Sequence, residues 1–158
     1  MTEGNEAKSS AIRSVTPHLV VSDGPAAIAF YQRAFGAEER FRMPAPDGER
    51  ILHAELQIGG APVMLASEFP EFGSKGPSTL GGTPVAIHLN VDDVDAAYDR
   101  AVQAGAAATM PPADMFWGDR YGRLTDPFGH VWSLATHIRD VTPEEMAEGA
   151  KRAFSGPD

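Results

Sequence analysis

The alternation of apolar and polar positions along the chain occurs twice. Val15-Thr16-Pro17-His18-Leu19-Val20-Val21-Ser22-Asp23 returns as Val85-Ala86-Ile87-His88-Leu89-Asn90-Val91-Asp92-Asp93, with the two histidines 70 positions apart. Each copy reads as a strand ending in an acidic turn. After the first copy, Asp23 is placed to cap a helix and Pro25 suits its first turn. Ile28, Phe30, Tyr31 and Phe35 then fall at helical spacing before Gly36. After the second, Val94, Ala97, Tyr98 and Val102 mark a helix over 93–103 that stops at Gly105. Three strands follow each helix. In the first half they cover 38–43, 50–58 and 61–67, the last two joined by the hairpin signal Gly59-Gly60. In the second half they cover 107–111, 120–125 and 130–137, with Asp126-Pro127-Phe128-Gly129 as the final turn.

The order β-α-β-β-β written twice predicts an α+β fold of two modules related by a pseudo-twofold axis, with a ligand site between them. The boundaries are a disordered leader over 1–13, a first module over 14–68, a linker over 69–82 and a second module over 83–137. Between Glu68 and Gly82 lie four glycines, two prolines and two serines, which is why that stretch reads as a connection. Residues 138–158 are a helix and tail, opened by the capping box Thr142-Pro143-Glu144-Glu145.

Composition narrows the partners. With 42% hydrophobic residues the chain can build a core, yet no apolar run approaches the roughly 20 residues of a membrane span. The absence of cysteine removes disulfides, thiolate metal sites and a cysteine nucleophile. A net charge of −9 without any Lys/Arg cluster argues against a nucleic-acid surface. The polar N-terminus lacks an apolar signal core, so the expected location is cytoplasmic.

The tandem β-α-β-β-β pattern, the matched His-Leu-x-Val-x-Asp segments and the Asp126-Pro127-Phe128-Gly129-His130 turn resemble the vicinal oxygen chelate superfamily. That group includes glyoxalase I, bleomycin-resistance proteins and extradiol dioxygenases. Phe116-Trp117-Gly118-Asp119-Arg120-Tyr121-Gly122 and Ala135-Thr136-His137 are most similar to its PhnB-like, glyoxalase-related branch. The resemblance covers 14–137 and is specific for fold and weak for reaction, since one scaffold there serves isomerases, dioxygenases, transferases and drug binders. It implies a divalent metal held by one ligand from the first and fourth strand of each module. Those positions fall on Thr16, Met64, Ala86 and Ser133, none of them a histidine or carboxylate. The usual four-residue metal set is absent, and whether any divalent metal is bound stays open.

Strand periodicity supplies another set. His18 and His88 share a face with the first-strand positions, and the Gly59-Gly60 register pairs Glu55 with Met64 and sets His53 opposite Ala66. The expected cleft wall is therefore His18, His53, Glu55, His88 and Ser133, a competent acid–base or displaced metal set. Phe116, Trp117 and Tyr121 can wall a pocket or belong to the core. His18 and His88 can be polar residues of a wet cleft, and His53, Glu55 and Gln57 a solvent-facing stripe. His130 reads as a solvated turn residue and His137 as a structural hydrogen-bonder. Two functions follow. One is a small-molecule binder of this superfamily, in which an acidic chain with aromatics near its cleft suits a partly aromatic or cationic ligand. The other is a metal-assisted lyase or isomerase acting next to a carbonyl, with Glu55 as base. Small paired-module proteins of this kind often close their cleft across a homodimer, which is expected here.

Overall fold

Two four-stranded sheets carry the described part of the chain, residues 8–156 of the computed structural model. The first is built from β1 (His18–Val21), β2 (Glu38–Pro44), β3 (Ile51–Ile58) and β4 (Ala61–Ser67), in the order β1-β4-β3-β2. The second repeats it with β5 (Ala86–Asn90), β6 (Ala107–Asp114), β7 (Asp119–Thr125) and β8 (Val131–His137), in the order β5-β8-β7-β6. In each sheet the first strand runs parallel to the fourth and the remaining pairs are antiparallel. Helix α1 (Gly24–Phe35) packs on β3 and β4, α3 (Val94–Ala104) packs on β6, β7 and β8, and the two helices pack on each other. This is the expected α+β arrangement of two β-α-β-β-β units.

Both helices begin as the sequence indicates. The carboxylates of Asp23 and Asp93 accept from Ala26 N at 3.0 Å and Ala96 N at 3.1 Å, each satisfying one orphan donor of the first turn. Gly36 ends α1 at φ 66°, a conformation glycine adopts without steric cost. The Arg100 guanidinium of α3 donates to Arg33 O at 2.7 Å, so one module supplies a C-terminal cap to the other's helix.

The core crosses the junction. Tyr31 and Phe35 of α1 lie against Trp132 of β8, with ring centroids 5.4 and 4.5 Å apart, and Phe30 meets Phe128 at 6.2 Å. Beneath these rings the Asp126 carboxylate, 4% exposed, receives four hydrogen bonds. Tyr31 Oη donates to it at 2.5 Å, Trp132 Nε1 at 2.9 Å, Phe128 N at 2.9 Å and His130 N at 3.0 Å. Burial, reinforced by the negative charge of Asp126, pushes the Tyr31 phenol well above its ordinary pKa.

The connection between the modules is partly ordered: a 3-10 turn at Pro70–Phe72 precedes the short helix α2 (Pro77–Leu80). It lies along the outer edge of β1, where His130 also donates from Nε2 to Val20 O at 2.8 Å. His130 is thus half-buried and joins the modules, whereas the sequence reading left it solvated; its partner lies 110 residues away, beyond the reach of local pattern. At the C-terminus, α4 (Pro143–Phe154) starts with Glu145 N bonded to Thr142 Oγ1 at 3.1 Å, the expected cap. Within the expected leader, residues 8–13 are exposed and carry no regular structure, and residues 1–7 lie outside the described part.

Candidate functional site

Alternation along the strands decides which side chains face away from the helices. On the first sheet Leu19, Val21, Ala54, Leu56, Val63 and Leu65 are buried on the helix side. Their neighbours His18, His53, Glu55 and Met64 take the helix-free face. The register is Glu55 opposite Met64 and Met64 opposite His18, so these three form one row across the sheet. His53 lies two residues along from Glu55. Its Nε2 reaches Glu55 Oε1 at 3.4 Å, and its ring meets that of His18 edge-on at 5.6 Å and that of Phe41 at 6.2 Å. Glu55 keeps 43% of its side chain exposed, so this acid–imidazole group is open to a ligand.

The second sheet presents the repeated face with different chemistry. His88, Ser133 and Arg123 form the row that corresponds to His18, Met64 and Glu55. Ser133 Oγ lies 2.8 Å from His88 Nδ1, and His88 Nε2 lies 3.2 Å from Asn90 Oδ1. In a neutral ring this pattern assigns the proton to Nε2, which donates to Asn90 while Nδ1 accepts from the serine hydroxyl. Tyr121 stacks on His88 at 6.3 Å, and Trp117 meets Tyr121 edge-on at 5.6 Å. Phe116 packs on Trp117 at 5.1 Å and is covered by α4, where a Cβ added at Gly149 would lie 2.5 Å from Phe116 Cβ. Trp117 and Tyr121 therefore extend the open face, and Phe116 supports them from beneath.

Of the sequence-predicted residues, the chain brings together His18, His53 and Glu55 on one sheet and His88, Ser133, Tyr121 and Trp117 on the other. No hydrogen bond or ring contact joins the two groups among the described residues. A cleft of about 470 Å³ runs between the end of α1, the Gly59-Gly60 turn and β5; it touches His88 but none of the first group. A smaller one, about 230 Å³, lies between His18, Lys75 and His130.

The chemistry does not suit a metal at the four positions that the resemblance implies. Thr16 and Ser133 are weak neutral ligands, Ala86 offers none, and Met64 is a soft thioether. The displaced set does not converge either. Among the described residues no three His, Asp or Glu side chains are grouped closely enough to hold a cation.

Some participants carried no sequence signal. Asn90 orients His88, and Arg123 occupies the position that repeats Glu55; both lie on strands whose alternation was legible, but neither residue type stood out. His137 does act as a hydrogen-bonder. Asp119 at 3.0 Å and Asp140 at 2.7 Å, in that order of influence, raise its pKa above the ordinary histidine value.

The profile of the Glyoxalase/Bleomycin resistance protein/Dioxygenase superfamily matches residues 12–134. The protein Rv0887c of Mycobacterium tuberculosis is 50% identical over 136 residues, covering 84% of this chain and 79% of the relative. The Arabidopsis thaliana protein At5g48480 is 32% identical over 127 residues, 75% of this chain and 74% of its own. Its X-ray structure superposes with a TM-score of 0.64 at 27% identity over 79% of this chain and 99% of that one. The crystal structure of TioX from Micromonospora sp. ML1 gives 0.62 at 30% identity, covering 80% of this chain and 99% of that one.

Proposed function

Because the chain belongs to the Glyoxalase/Bleomycin resistance protein/Dioxygenase superfamily, we propose that it is a cytoplasmic small-molecule-binding protein of the PhnB-like, glyoxalase-related branch. The observation that carries this reading is the pair of helix-free faces, lined by imidazoles and aromatic rings, in which the usual ligand positions hold Thr16, Met64, Ala86 and Ser133. Ser133 is held by His88 at 2.8 Å, which supports reading these positions as parts of a ligand wall. A homodimer completes the site in this reading, with the two kinds of face closing on each other. Its driving force is apolar surface that one chain leaves open: Phe41 and Met43 are each 46% exposed, Leu52 43% and Met110 38%.

The neutral aromatic amide benzamide tests the binding reading in nitrogen–proton correlation spectra. Millimolar benzamide is expected to shift the Trp117 indole and Tyr121 amide signals saturably, while the buried Trp132 indole stays still. Failure of any signal on these faces to move would overturn it.

A second reading rests on the His53–Glu55 contact, which poises a half-buried carboxylate next to imidazoles. In it Glu55 removes a proton next to a carbonyl. The binder reading expects no turnover of a glutathione hemithioacetal. Turnover that vanishes in Glu55→Gln with the fold intact would instead establish catalysis, since the two side chains are nearly isosteric.

A further inference from the structure

The repeated faces carry opposite charges at the same place. Glu55 opposes Met64 on the first sheet, and Arg123 opposes Ser133 on the second, each row ending on its first-strand histidine. Arg123 is also unusual among its own kind. Of the four strand arginines, Arg40 pairs with Glu38 at 2.8 Å, Arg42 with Glu39 at 2.8 Å, and Arg120 with Asp95 at 2.8 Å and Asp114 at 3.0 Å. Arg123 pairs with no carboxylate among the described residues. The chain has 22 acidic against 13 basic residues, so a shortage of anions does not explain this. The remaining cations without a carboxylate partner among the described residues lie on the leader (Lys8, Arg13), on helices (Arg33, Arg100, Arg152) or in the connection (Lys75). Only Arg123 stands on a sheet, in the middle of a candidate ligand face.

Its backbone is held. Tyr98 Oη donates to Arg123 O at 2.8 Å, which fixes that point of β7 from the helix side. Two residues along the same face stands Tyr121, stacked on His88 and flanked by Trp117. A guanidinium is a planar fork of donors matched to a carboxylate, and the adjoining rings offer a flat apolar platform. Building on the small-molecule reading above, we infer that Arg123 holds the carboxylate of a ligand whose adjacent planar, unsaturated part lies on Tyr121 and Trp117. The local charge of this face thus selects an anion although the chain as a whole is acidic. The Glu55 face is left for the other end of the ligand.

Benzoate and its neutral isostere benzamide separate this inference from the broader reading. Both are titrated into the 158-residue chain while the Trp117 indole and Tyr121 amide signals are followed. Benzoate is expected to half-saturate at a concentration about tenfold lower than benzamide, the increment of roughly one charge-assisted contact. In Arg123→Gln benzoate binding should weaken until the two probes agree to within about twofold. Arg123→Lys, which keeps the charge but loses the fork, should retain part of the preference. Arg33→Gln, on the outside of α1, should change nothing. Equal binding of both probes to the wild type would overturn the role of Arg123 while leaving the binding face in place. So would a benzoate preference that survives Arg123→Gln. If that variant instead loses the dimer in light scattering with the preference intact, Arg123 belongs to the subunit interface and the inference fails. Absence of any shift with either probe would remove both readings together.

Discussion

Replacing Asp126 by alanine should lower the stability of the protein by about 3–5 kcal/mol, the cost of stripping a buried charged hydrogen-bond centre of its acceptor. Four donors converge on this carboxylate: Tyr31 Oη, Trp132 Nε1, Phe128 N and His130 N. Alanine leaves all of them without a partner in a region walled by Tyr31, Phe30, Phe128 and Trp132, where water has little access. Asparagine is not a rescue. Its amide nitrogen would replace an oxygen that accepts two bonds, placing donor against donor, and about 2–3 kcal/mol should still be lost. Tyr31→Phe removes one donor and leaves the carboxylate with three, so a loss nearer 1–2 kcal/mol is expected. Urea unfolding followed by far-ultraviolet circular dichroism measures all three. An Asp126→Ala unfolding free energy within about 1 kcal/mol of wild type would show that the centre does not join the modules. The asymmetry of the effect is informative. The corresponding residue of the first module is the buried Ile58, whose side chain can accept no hydrogen bond, so the first module has no equivalent of this network.

Much of this fold was legible because it depends on short-range rules. The Gly59-Gly60 turn and a period of two were enough to place Glu55 opposite Met64, as observed. The helices started where Asp23 and Asp93 could cap them. Departures have physical causes. The first strand begins at His18 rather than Val15, because Pro17 cannot donate to a ladder and only its carbonyl is used, by Met64 N at 2.9 Å. The sixth strand runs past Pro111 to Asp114, since an edge strand accommodates the two prolines in an irregularity between Met110 and Ala113. The site was legible only in part. Alternation told which side chains leave the helix face of each sheet, and it grouped His18, His53 and Glu55 correctly on one surface. It carries no information on how two sheets face one another, so the separation of that group from His88 and Ser133 was invisible. Partnerships such as His130 with Val20 O arise only from the packing of the modules.

Substituting Gly118 by alanine is expected to destabilise the protein by about 3 kcal/mol and to disturb the ligand face at the same time. Gly118 sits at φ 99°, in the turn that joins β6 to β7, and its carbonyl accepts from Ile138 N at 2.9 Å and Arg139 N at 3.1 Å. A Cβ there would stand 2.2 Å from Arg139 O, a backbone atom that no rotamer change can move. The chain entering α4 would have to retreat, releasing the helix that covers Phe116, and Trp117 would lose the turn that sets it against Tyr121. Gly48→Ala separates the two contributions. Gly48 has φ 74° with nothing near a new Cβ, so that variant incurs only the conformational cost of about 1–2 kcal/mol. The excess loss in Gly118→Ala then measures the collision with the Arg139 carbonyl. It should be accompanied by a displaced Trp117 indole signal and weaker benzamide binding. Equal losses in the two variants, with Trp117 unmoved, would mean that segment 138–139 is free to shift and that the ligand face does not depend on the docking of α4.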